Sequence, residues 1–446
     1  MSVLRRNTFS LDFQRFLNHT SPMSKNKYLL PFALVTSLFF LWAFLHNLNP
    51  ILIPHLRKAC QLNDKQSSLV DFPIYLAYCV MAIPAGLFMH KYGYKRGIIF
   101  GLILYALGAL LFIPAASERS FPFFIFALFV SGSGAAFLET VANPYIANLG
   151  EPSRSEQRLN LAQSFNGLGA MVAPLVGAQF ILSGIEHTPQ ELTTMKANGL
   201  LDAYLQSEAN TVKPPYLVIA SVVVLVTIFF VFTKLPEIKE PDADVHGTKF
   251  SWKVFRFPHV KWAVFGEFFY VGSQVGLGSF FVKYCRYVAD IPEREAGQKW
   301  FIAMAGFMVG RFLGTFIMGY VKPARLLTLY AVINVVLVTI GVVAKGHIAV
   351  YAIMVTPFFM SIMFPTIFAL GIKDMGEETK MAASFLVMAI IGGAVAPLVM
   401  GAISDATGSI QVAYIVPLIC FVYILFFGVK GHKIANPKDR YEWDTV

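Results

Sequence analysis

The stretch from Phe121 to Gly150, FPFFIFALFVSGSGAAFLETVANPYIANLG, constrains this chain more than any other. It is long and apolar enough to cross a bilayer, for which about 20 such residues suffice. Yet Glu139 and Asn143 sit well inside it, four residues apart and so on one face of a helix. A charged carboxylate at that depth is costly unless it faces partners or water. It therefore marks either a polar path through the membrane or a structural carboxyl that pairs two helices. The small residues around it (Gly132, Gly134, Ala135, Ala136) let neighbouring helices approach closely. Asn143-Pro144 is expected to interrupt the backbone ladder, which lipid tolerates only where protein or a water-filled cavity receives the freed groups.

Composition extends the membrane reading to the whole chain. Hydrophobic residues make up 56% of it and charged residues only 14%, against roughly 25% charged in soluble domains. The mean hydropathy is +0.60. The net charge of +10 points to Lys/Arg-rich loops on the cytoplasmic side. It does not point to nucleic acid, because no basic cluster is long enough. Cys60, Cys79, Cys285 and Cys420 lie far apart, with neither metal-ligand spacing nor a disulfide framework, so no metal site is expected. No cleavable leader is expected, since the first apolar run is a full span, and Met23-Ser24-Lys25 reads as a second plausible start.

Apolar runs between charged breaks predict twelve transmembrane helices. Six fall near 28–54, 66–90, 97–115, 121–149, 158–184 and 215–234. Six more fall near 258–285, 298–320, 324–344, 347–372, 379–403 and 409–430. The organisation expected is a tail at 1–27, a six-helix bundle at 28–234, a charged linker at 235–257, a second bundle at 258–430 and a tail at 431–446. The excess of Lys and Arg puts both tails, the linker and the Lys91–Arg96 cluster in the cytoplasm. The long outer segment contains Thr188-Pro189-Gln190-Glu191, a capping-box pattern that predicts a short amphipathic helix over the outer face.

The halves echo each other. Ala173-Pro174-Leu175-Val176 recurs as Ala396-Pro397-Leu398-Val399, and Asn143-Pro144 finds a counterpart in Phe364-Pro365. Both offsets are close to half the chain. With six helices per half, that argues for parallel repeats and a site between them.

Several spans carry polar faces. The first holds Trp42, His46, Asn47, Asn49 and Pro50, and its amides suit either sugar hydroxyls or helix–helix hydrogen bonds. The fifth aligns Gln163, Asn166 and Ala170, and the seventh aligns Glu267, Tyr270 and Gln274. Glu267 is either a second functional carboxylate or an ordinary partner for the nearby charged linker. Arg311 is the lone guanidinium within a span and is expected to pair with a carboxylate across the bundle or to snorkel. Amides, acids and aromatic rings together fit a neutral polyhydroxy compound, whose hydroxyls the polar groups take and whose apolar face the rings cover. No nucleotide-binding loop, Ser/His/Asp set or HExxH pattern is present, so neither an enzyme nor ATP-driven transport is expected.

At these residues the chain resembles the major facilitator superfamily, in its branch of L-fucose:proton symporters and glucose/galactose transporters. The resemblance runs from about Leu30 to Gly428. It rests on Leu138-Glu139-Thr140, Ala142-Asn143-Pro144-Tyr145-Ile146 and Arg158-Leu159-Asn160-Leu161-Ala162-Gln163-Ser164-Phe165-Asn166. In the second half it rests on Phe269-Tyr270-Val271-Gly272, Gly310-Arg311-Phe312, Phe364-Pro365-Thr366-Ile367-Phe368 and Ile390-Ile391-Gly392-Gly393. It implies an all-α membrane protein of two pseudo-symmetric six-helix bundles, alternating access and a central sugar site. It also implies proton coupling through buried carboxylates, with Glu139 matching the fourth-helix carboxylate.

Three positions depart from the pattern. Pro50 stands where the fucose symporters have Asp, Phe364 where they have Tyr, and His90 where the superfamily loop after the second span has an acid.

The expectation is a transporter that imports L-fucose or a related hexose with a proton. Glu139 and Glu267 would couple the proton, and Arg311 would form a structural charge pair. Asn47, Asn143, Gln163, Asn166, Tyr270, Gln274 and Phe364 would bind the sugar. No cofactor is expected beyond the proton motive force, and no partner beyond sugar and the lipid bilayer. A monomer in a bacterial inner membrane would suffice. The alternatives are a uniporter, a symporter for another sugar such as an N-acetylhexosamine, and a membrane sugar sensor.

Overall fold

The computed structural model describes residues 29–62, 70, 72–180, 188–236 and 252–434. All regular structure among them is helical. In chain order the α-helices are α1 (Leu29–His46), α2 (Asn49–Ala59), α3 (Phe72–Ser117), α4 (Phe121–Asn148), α5 (Ser155–Phe180), α6 (Pro189–Ala197), α7 (Leu201–Asn210) and α8 (Lys213–Phe232). They continue as α9 (Pro258–Ala289), α10 (Glu293–Ile317), α11 (Pro323–Val343), α12 (His347–Met360), α13 (Met363–Gly371), α14 (Thr379–Met388), α15 (Gly392–Thr407), α16 (Ile410–Ala413) and α17 (Ile415–Phe426).

Among the described residues, eight helical stretches are long and apolar enough to cross a membrane. One of them, α3, holds two spans. The chain turns between them at Gly93, whose φ of 84° and ψ of 170° break the helix in a region that a side chain would strain. The spans α1, α5 and α9 complete the set of twelve. Spans ten and eleven are each built of two helices, α12 with α13 and α14 with α15.

The first span ends earlier than the apolar run suggested. α1 stops at His46, and α2 continues outward from Asn49. The fourth span departs from expectation in the other direction: α4 continues through Pro144 without a break. A proline removes only one ladder bond, and the surrounding helices hold the turn on either side. Residues 131–147 are buried without interruption. Gly108 and Gly134 allow this, since a Cβ on either would strike the backbone of the facing helix, at Ser131 and Tyr105 respectively. At the opposite extreme, α8 leaves Leu217, Val218, Leu225 and Phe232 exposed, as a lipid-facing helix does.

Packing follows the repeat. α1 lies on α5 and α3 on α4 in the first half, while α9 lies on α15 and α11 on α12 in the second. The halves meet where α14 packs on α3 and where α10 packs on α5. These are spans eleven with two and eight with five, and the repeat exchanges one pair with the other. A parallel two-bundle protein with a pseudo-twofold axis has this property.

Between the fifth and sixth spans Thr188 caps α6 as a capping box, with Glu191 N donating to Thr188 Oγ1 at 3.3 Å and Thr188 N to Glu191 Oε2 at 2.9 Å. α7 then packs against α2, where Lys58 Nζ meets the buried Glu208 carboxylate at 3.1 Å. Most of the expected linker and both tails lie outside the described residues, as do the side chains of Asn49 and Pro50.

Candidate functional site between the halves

Glu139 and Asn143 stand on the inner face of α4 and are 7% and 0% exposed. Tyr78 of α3 and Asn143 itself approach the Glu139 carboxyl, which also lies in the field of Arg311. Asn143 Oδ1 accepts a hydrogen bond from Gln163 Nε2 at 3.2 Å, joining α4 to α5.

Arg311 crosses between the bundles. Its Nε donates to the Ser361 carbonyl at 2.8 Å. That carbonyl is free because its helical partner four residues on is Pro365, which has no N–H. The other arm reaches α5, where Nη1 donates to the Gln163 carbonyl and lies 3.5 Å from Asn166 Oδ1. Gly167 presents no side chain to this approach, and the guanidinium rests over the Phe307 ring at 4.6 Å. Among the described residues its hydrogen bonds thus run to carbonyl oxygens, with Glu139 further off.

On α9, Glu267 is fully buried and neither of its carboxyl oxygens has a hydrogen-bond partner among the described residues. It lies within the electrostatic reach of Glu139 across the interface. Tyr270 is also fully buried, with its hydroxyl facing Glu267 and Arg311 and its ring 6.1 Å from Phe364. Phe364 stacks in turn near Phe368 at 6.2 Å. Gln274 and Asn166 are half-buried. Asn47 is half-buried too, but its Nδ2 donates back to the Ala43 carbonyl at 2.8 Å, so its oxygen is what remains for a ligand.

Towards the 151–155 and 373–378 loops the halves are zipped shut. Lys373 Nζ pairs with Glu156 Oε1 at 2.8 Å, Asn160 Nδ2 donates to Thr366 Oγ1 at 3.1 Å, and Gln157 Nε2 donates to the Thr315 carbonyl at 3.2 Å. Ser384 of α14 sits against Gly86 of α3 at the same end. The sequence reading missed Tyr78, Glu156, Asn160 and Phe307. A signal existed for two of them, because 156, 160 and 163 continue the Gln163–Asn166 face backwards by steps of four and three.

Residues 33–390 match the sequence profile of the Major Facilitator Superfamily. The chain belongs to the major facilitator superfamily. It is accordingly a transporter built of two pseudo-symmetric six-helix bundles. It is 41% identical over 410 residues to the L-fucose-proton symporter of Escherichia coli (strain K12), covering 90% of this chain and 92% of that protein. It is 39% identical over 417 residues to a glucose/galactose transporter of Brucella abortus biovar 1 (strain 9-941), covering 93% and 97%. The crystal structure of the superfamily transporter FucP in the outward conformation superposes with a TM-score of 0.83 at 40% identity, covering 90% of this chain and 99% of that one.

Proposed function

We propose that this transporter carries a neutral monosaccharide of the L-fucose or glucose/galactose class inward together with a proton. The observation that carries the reading is the grouping, between the halves, of two buried carboxyls with neutral amides and aromatic rings. Amides both donate and accept, so they match hydroxyls without demanding charge, and rings cover the apolar face of a pyranose. Asn47, Asn143, Gln163, Asn166, Tyr270, Gln274 and Phe364 bind the sugar in this reading. Glu139 and Glu267 carry the proton, and Arg311 ties α5 to the break between α12 and α13. The names of the relatives, L-fucose-proton symporter and glucose/galactose transporter, support the substrate class.

The bundles are taken as 28–234 and 258–430, joined by a cytoplasmic linker. The protein works as a monomer in a bacterial inner membrane with both termini inside, driven by the proton motive force and needing no cofactor. Uniport is the second reading, favoured by Pro50 at a position where the related symporters have an acid. Proteoliposomes decide between the two. Uphill uptake of L-fucose, D-galactose or D-glucose under an imposed pH gradient, with the outer medium turning alkaline as sugar enters, is the expected result. Counterflow without any pH change would establish uniport.

A further inference from the structure

We propose that His46, Tyr75 and Tyr78 form a proton relay that feeds Glu139 from the outer face. The relay rests on the symport reading above and on the orientation with the N-terminus inside.

His46 closes α1 at its outer end and stands edge-on to Tyr75, with ring centroids 6.2 Å apart and planes at 82°. Tyr75 and Tyr78 are three residues apart on α3 and share a face, Tyr78 lying one turn deeper. Tyr78 in turn approaches the Glu139 carboxyl, and it sits in the field of Tyr75 and Tyr105. The three tyrosines are 9%, 3% and 1% exposed, and Tyr75 also lies against Gly393 of α15, so the series runs along the side of the first bundle that meets the second.

Beside it lies a cavity whose lining comes from that bundle alone and includes Trp42, His46, Tyr105, Ser131, Ala135 and Tyr216. Ser131, Ala135 and Glu139 follow one another by steps of four, so the cavity opens along the face of α4 that bears Glu139. His46, Tyr105, Ser131 and Tyr216 supply the two to four polar partners that a bridging water needs. No charged side chain lines the cavity among the described residues. Around Glu139 the remaining polar and charged neighbours are Asn143, Arg311 and Glu267.

Histidine is the side chain whose ordinary titration range matches an outer medium near neutrality. A phenol can accept one proton while it donates another. His46 takes a proton from outside at one ring nitrogen and releases one from the other to the Tyr75 oxygen. Tyr75 passes its own proton to Tyr78, and the Tyr78 proton moves to the Glu139 carboxylate. One proton has then travelled inward; both hydroxyls and the imidazole are neutral again, and the imidazole, left as its other tautomer, resets by exchanging protons with the outer water.

His46→Gln and Tyr78→Phe test the relay in proteoliposomes with L-fucose and D-galactose, and Tyr75→Phe removes a hydroxyl while keeping the ring. Proton-driven uptake is expected to fall by roughly a hundredfold, the usual scale for losing a positioned proton carrier. Counterflow exchange in de-energised vesicles is expected to continue, and His46→Gln should flatten the dependence of uptake on outer pH. Undiminished proton-driven uptake in these variants overturns the relay. So does an equal loss of uptake and exchange, which would mean a structural or sugar-binding role. If the wild-type protein moves no protons with sugar, the symport reading itself fails. If the wild type couples and the variants couple as well, only the relay does.

Discussion

Glu139 and Gln163 sit on adjacent helices, yet the reading assigns them different tasks, and each assignment can be measured. Glu139 is enclosed by Tyr78, Asn143 and small residues, with no cation in direct contact among the described residues. Glu139→Gln keeps the shape and removes the titrating oxygen. It is expected to abolish uphill uptake while sugar exchange or binding persists, and accumulation at the wild-type level would rule out its role. In the same proposal Gln163, Asn166 and Gln274 bind the sugar from α5 and α9. Replacing any one by Ala leaves a desolvated sugar hydroxyl unpaired, costing roughly 1–3 kcal/mol, or about tenfold to a hundredfold in affinity. Wild-type affinity in all three Ala variants, by equilibrium binding of the best sugar found, would move the site elsewhere. Gln163 has a second attachment to respect, since its side chain already holds Asn143 and its carbonyl holds Arg311.

Among the elements, the contacts that join α5 to the loop after α13 decide which end of the protein is closed. Glu156 is 2% exposed and its partner Lys373 partly so. Removing the lysine strands a buried carboxylate, which is costlier than removing both charges together. Lys373→Met is therefore expected to lower the melting temperature in detergent, and adding Glu156→Gln should restore much of the loss. A double variant no better than Lys373→Met would show that the two side chains are not coupled. The same reasoning explains why α10 tolerates a guanidinium mid-membrane. The proline in α13 frees a carbonyl and Arg311 donates to it, so Arg311 and Pro365 form one structural device.

For the whole molecule, orientation is the property on which the direction of transport depends. With the N-terminus inside, Cys60 at the end of α2 faces the outer medium. It is half-buried, its Sγ lies 3.9 Å from the Arg119 carbonyl, and burial pushes the thiol up from its ordinary range. A variant keeping Cys60 alone is thus expected to react slowly with membrane-impermeant maleimides, faster at alkaline pH, and only from the outside of intact cells. Labelling solely in inside-out vesicles would invert the topology and the direction of the relay with it.

Much of this architecture was legible in one sequence. Twelve spans follow from apolar run length, because lipid offers a backbone nothing to bond to and a bilayer has one thickness. The Thr188 capping box and the common face of Glu139 and Asn143 are equally local, since three- and four-residue steps place side chains on a helix. What the sequence left open is which faces meet. Arg311 reaches Gln163 and Ser361, Tyr78 reaches Glu139, and Lys373 finds Glu156 across 217 residues. Periodicity describes a helix's own faces and says nothing of its neighbour. In a membrane the choice of neighbour is not driven by hydrophobicity, because lipid tails are as apolar as leucine, so close packing and interhelical hydrogen bonds make it. The sequence by itself therefore determined the spans and their polar stripes. Only the tertiary structure decided which of these stripes meet one another between the two bundles.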